Sequence, residues 1–190
     1  MDDAARPTLD VYEVACLAGG PDRVVDTALV ALIRSGRVRV ARPGELEAAG
    51  LDRRHPVEAA VLDALGSGRP RSLQTIRWRA AADPRLAEVT RRLLDAGLLT
   101  RRWVPVVLRA RPAVSRAGRR ALDEAGRAHA EDDEAWRVAV HGRQIIGAGT
   151  PAASILDQPH VDRRVRGARL SARMDELARD RRYHDGPPQP

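Results

Sequence analysis

Residues 32–38 read Leu-Ile-Arg-Ser-Gly-Arg-Val, and residues 93–99 read Leu-Leu-Asp-Ala-Gly-Leu-Leu, an offset of 61 positions. In both copies a helix-period run ends in a small residue and a glycine, then passes directly into β-forming residues. Glycine at that point supplies the left-handed backbone that ends a helix. An internal repeat of this kind means two copies of one supersecondary plan. A helix running through a small-Gly turn into a strand is the junction of a winged helix.

The flanking patterns fit the same plan. Apolar residues at helical spacing fill 9–18, and Gly19-Gly20-Pro21 stops that helix. A second helix is predicted from Asp22, as N-cap, to Ser35, with Gly36 ending it. Val38 and Val40 alternate with Arg37 and Arg39, and Pro43-Gly44 marks a turn, so a hairpin follows. A third helix, 56–65, opens on Pro56 at an N1-like position. The second copy has a helix over 71–80, another from Asp83-Pro84 to Ala96-Gly97, and two strands around Pro105. Ser115 is the predicted N-cap of the helix that follows. The predicted class is mainly α with small β-hairpins (α+β): tandem winged-helix modules at 8–66 and 70–128, a helical C-terminal extension at 129–182, and a disordered tail at 183–190.

Composition narrows the function classes. One cysteine excludes a disulfide scaffold and a cysteine-based zinc finger within this chain. The longest apolar run, 28–33, is far below the roughly 20 residues that span a bilayer. The acidic start, MDDAARPTLD, has no signal-peptide core, so a cytoplasmic protein without membrane insertion is expected. The formal net charge is +7, and every basic residue is Arg. Residues 101–130 hold 8 Arg against 2 acids, whereas residues 1–60 hold 8 against 10. The positive field therefore sits in the second half.

Three stretches carry a family resemblance: Asp10 to Leu29 with its Leu-Ala-Gly-Gly-Pro motif (17–21) and Gly36-Arg37-Val38; His55 to Leu62; and Ser115 to Leu122. Together they resemble an uncharacterised family abundant in actinobacteria, over roughly residues 9–128. Its usual members are membrane proteins with a hydrophobic hairpin and a Gly/Cys-rich tail. This chain has neither, carrying only Trp103 to Leu108 at the hairpin position. The resemblance implies an association with multinuclear non-haem iron oxidases that modify cysteine-containing ribosomal peptides.

No catalytic constellation emerges. Cys16 lies in an apolar helical run and reads as a small buried hydrophobe. His55, His129, His141, His160 and His184 lack the paired spacing of a metal site. Gly147-Ala148-Gly149 lacks the third glycine and the βαβ setting of a dinucleotide loop. Asp132-Asp133-Glu134 suits a helix N-terminus better than a metal. No enzyme activity, cofactor or metal is predicted.

Two binding readings remain. In the first, an extended acidic peptide or protein partner adds to the first hairpin, and Arg37 and Arg39 on its outward face select acidic side chains. In the second, DNA binds to module 2 through Arg85, Arg92, Arg101, Arg102, Arg109 and Arg111. The helix over 22–35 is expected to expose Arg23, Asp26, Thr27, Val30 and Arg34. That strip is poor in donors to bases, which favours the peptide reading.

Overall fold

The computed structural model describes residues 8–50, 52–101, 112–129, 133–146 and 152–153. Its first element, α1 (Val11–Arg34), joins the two helices expected before the first hairpin. Asp10 caps it, accepting from the Tyr12 and Glu13 amides, and Glu13 closes a capping box. Gly20 (φ 74°, ψ −167°) breaks the helical path there, and Pro21 follows inside the same element. Proline lacks an amide and its ring crowds the carbonyl four residues back, so the kink is written in the sequence. The helix resumes at once, which places Asp22 inside α1.

A hairpin of β1 (Val38–Arg42) and β2 (Glu45–Ala48) follows, with Val38 opposite Ala48 and Val40 opposite Leu46. Then come α2 (Pro56–Leu65), β3 (Arg71–Ser72), α3 (Leu73–Ala80) and α4 (Pro84–Asp95). The short β4 (Leu99–Thr100) and β5 (Ala113–Val114) pair antiparallel, and among the described residues α5 (Arg116–Ala128), α6 (Glu134–His141) and a 3-10 turn (Arg143–Ile145) follow. The class is α+β, mainly helical with small antiparallel sheets. Ser115 caps α5 as expected, accepting from the Gly118 amide. Where a helix was expected over 71–80, its first two residues form β3, and Ser72 caps α3 by accepting from the Thr75 amide. The hairpin predicted around Pro105 and the tail at 183–190 lie outside the described residues.

The repeat is reproduced bond for bond. Gly36 (φ 70°) donates to the Ile33 carbonyl and Arg37 to Leu32, each at 3.0 Å. Gly97 (φ 67°) donates to Leu94 at 3.0 Å and Leu98 to Leu93 at 2.9 Å. Both are Schellman turns.

The segments expected as separate modules do not build separate cores. One cluster of buried side chains runs from Tyr12 to Ala152. Two contacts join them. β3, from the start of the second copy, pairs with β2 of the first hairpin, with Leu46 opposite Arg71. α6 packs extensively along α1. The result is that Val24, Val25, Asp26, Thr27, Ala28, Leu29 and Val30 are all buried. This corrects the expectation that Asp26, Thr27 and Val30 face solvent: the helix meant to present them has neighbours on both sides.

In chemical denaturation, alanine should destabilise two classes of glycine for different reasons. Gly36→Ala and Gly97→Ala should each cost about 1–2 kcal/mol, and similarly to each other, because both force a left-handed alanine. A Cβ on Gly118 would collide with the Leu98 carbonyl and press on Val114. Gly118→Ala should therefore destabilise by about 1–3 kcal/mol, even though alanine is the better helix former.

Candidate functional site

Side chains from the two ends of α1 and the start of α2 meet in one polar cluster. Tyr12 comes from the first turn of α1, and Arg37 follows its last. His55 is the N-cap of α2, and its Nδ1 accepts from the Val57 amide at 3.2 Å. Glu58 lies in the first turn of α2. The Tyr12 hydroxyl donates to Glu58 Oε1 at 2.8 Å, and Arg37 Nη1 donates to Glu58 Oε2 at 2.6 Å. Arg37 also donates to the Asp52 carbonyl at 3.0 Å and to Ser35 Oγ at 2.9 Å. The His55 ring lies 4.5 Å from that of Tyr12, and its Nε2 faces Asp10 Oδ2 at 3.6 Å.

Arg37 and Glu58 are both buried. Burial, then the Glu58 carboxylate, pushes the Tyr12 phenol well above its ordinary range and keeps it a donor. The cluster ties the start and end of α1, the hairpin exit and α2 together. It holds no activated nucleophile. Cys16 is buried with its Sγ 3.5 Å from Thr90 Oγ1, and burial pushes the thiol up, away from thiolate. Among the described residues no three His, Cys, Asp or Glu side chains are placed to hold a metal. Asp133 caps α6, accepting from the Ala135 and Trp136 amides.

The predicted binding residues separate sharply. Arg37 was expected on an outward strand face and is buried in the cluster. It precedes β1, and the residue after a Schellman glycine turns back against the helix. The repeat carried the signal: Arg37 aligns with Leu98, an apolar residue that is also buried. Arg39 does face solvent, its side chain 70% exposed, and bonds Glu47 across the hairpin at 2.6 Å. Of the DNA candidates, Arg85 is held by Asp83 and Asp63, each at 2.7 Å. Arg92 bonds Glu88 at 3.2 Å, and Arg91 bonds both Glu88 and Asp95. Hydrogen bonds, chiefly from Arg91 and then from Arg92, hold the Glu88 carboxyl down at about 2. The outer face of α4 is thus a lattice of mutually paired charges. Arg101 is exposed. Arg102, Arg109 and Arg111 lie outside the described residues.

A second ion pair, between buried Asp26 and partly buried Arg77, was not evident from the sequence. Asp26 of α1 accepts from Arg77 of α3 at 3.0 and 2.5 Å, and Arg23 donates to the Val140 carbonyl of α6 at 2.9 Å. Nothing in the spacing of Asp26 and Arg77 announces their contact, because they are 51 residues apart.

Compared with known proteins, the chain matches no family model and no curated protein.

Two outcomes follow from the cluster. Glu58→Ala should destabilise by about 3–5 kcal/mol, since it strands the buried Arg37, whereas Arg39→Ala stays within about 0.5 kcal/mol. Above pH about 10 the unfolded chain loses the Tyr12 proton while the folded one keeps it, so stability must fall as pH rises. Urea titrations from neutral to alkaline pH should show a shallower fall in Tyr12→Phe than in the native chain.

Proposed function

We propose that this chain is a non-enzymatic adaptor built on two winged-helix modules, which binds an acidic peptide or protein segment at its first hairpin. The order β3-α3-α4-β4-β5-α5 over the second segment supports the winged-helix reading, being strand, two helices, a short hairpin and an exit helix. The observation that carries the function is the edge of β1. Among the described strands β1 pairs with β2 alone, so its other edge has no strand partner among them. Arg39 stands on the solvent face of β1, its side chain reaching across to Glu47 of β2. A strand added at that edge gains main-chain hydrogen bonds, and a carboxylate beside Arg39 competes with Glu47 for an exposed pair that contributes little to stability. Arg42, also exposed, lies further along the same strand. The family resemblance points to a peptide-modifying metalloenzyme as the protein that such an adaptor serves.

A second reading, DNA binding through the second half, is favoured by the exposure of Arg101 at the head of the 101–130 block. It is weakened by the carboxylates that hold Arg85 and Arg92, and by the burial of α1, the helix that would enter a groove in the first module.

Fluorescence anisotropy with extended, Glu-rich peptides decides between the readings. Binding should weaken by about tenfold or more in Arg39→Glu/Arg42→Glu and should ease with added salt, while the thermal midpoint holds. Unchanged peptide affinity in that variant, together with salt-sensitive retardation of duplex DNA that Arg101→Gln reduces, would reverse the order of the two.

A further inference from the structure

We infer that the surface around Trp78, on β3 and α3, is a second docking site, one that takes an acidic segment of a partner protein with the indole as its apolar anchor. Trp78 is 59% exposed, one of two exposed large hydrophobic residues among those described. Its counterpart at the repeat offset is Leu17, which is 3% exposed. The first copy therefore buries this position and the second leaves it open.

The platform beneath Trp78 is rigid. Ser72 caps α3, Leu73, Ile76 and Ala80 are buried, and Arg77 is locked on Asp26. An anchor on such a base loses little freedom on binding, and tryptophan is the side chain most enriched at interface hot spots.

The surrounding charge selects the partner. Residues 64–82 contain Arg69, Arg71, Arg77 and Arg79 and no acid. Arg71 Nε donates to the Leu65 carbonyl at 2.6 Å, and Arg79 Nη1 to the Ala64 carbonyl at 3.5 Å. These bonds bring both guanidinium groups to the C-terminal carbonyls of α2, and among the described residues neither forms an ion pair with a carboxylate. The acids that flank this stretch in sequence, Asp63 and Asp83, are engaged by Arg53 and Arg85, and across the ladder Glu45 of β2 lies opposite Ser72. A segment that brings carboxylates to Arg71 and Arg79 and an apolar side chain to Trp78 satisfies all three. Single-stranded nucleic acid fits less well, because it takes successive stacking platforms and this surface offers one indole.

The test pans a random peptide library displayed on phage against the full chain, then measures the selected peptides on Trp78→Ala, Arg79→Glu and Arg39→Glu. The expected result is enrichment of acidic peptides with an apolar residue. They should be weakened about tenfold or more by Trp78→Ala, weakened by Arg79→Glu and unaffected by Arg39→Glu, which keeps this surface distinct from the β1 edge. Both Trp78→Ala and Arg79→Glu alter exposed side chains and should leave the thermal midpoint in place. Three results would overturn the assignment: no enrichment that depends on Trp78, Trp78-dependent peptides without excess acid, or an oligothymidylate that binds at Trp78 more tightly than the peptides do.

Discussion

The turn at Gly36 directs Arg37 back against α1, and a guanidinium in that position must be neutralised where it lies. Glu58 supplies the charge, the Asp52 carbonyl and Ser35 hydroxyl take further donors, and Tyr12 donates to the other Glu58 oxygen. A buried ion pair adds little net stability over an apolar pair, but it fails expensively when one partner is lost. Its effect here is to fix position. The hairpin exit, the entry to α2 and both ends of α1 are each bonded into it. In the second copy the same backbone turn holds Leu98, and ordinary apolar packing suffices.

The two copies share a backbone plan and differ in what covers them. At the repeat offset, Val24, Thr27 and Val30 correspond to Arg85, Glu88 and Arg91. The first set is buried, and the second forms the charged outer face of α4. α6 packs along α1, and Arg23 reaches its Val140 carbonyl, so the first copy has become interior. This division of labour explains why the helix that would enter a DNA groove in the first copy is unavailable. It also explains why the second copy retains an exposed face on which one tryptophan stands out.

The two proposed docking faces, the edge of β1 and the surface around Trp78, would recognise acidic partners by different physics. At β1 the backbone would provide the contact and Arg39 adjust preference; at α3 the exposed Trp78 would be the anchor, with Arg71 and Arg79 held at the end of α2. The sheet connects the two, since β3 leads directly into α3 and pairs with the same β2 that pairs with β1.

Local chemistry was legible in the sequence. The Schellman glycines, the Gly20-Pro21 kink, the caps at Asp83 and Ser115, Pro56 at the head of α2 and the first hairpin all depend on bonds spanning a few residues, and turn and cap rules encode them. The burial of Arg37 was half legible, through its alignment with Leu98. What remained hidden depends on contacts between distant segments. Sequence periodicity marks an apolar stripe but does not say how many sides of a helix will be covered, so α1 read as a surface helix until α6 was seen against it. The pairing of β3 with β2, the Asp26–Arg77 bond and the exposure of Trp78 were decided in the same way. Each requires knowing which surface another element occupies, and only the assembled tertiary structure supplies that.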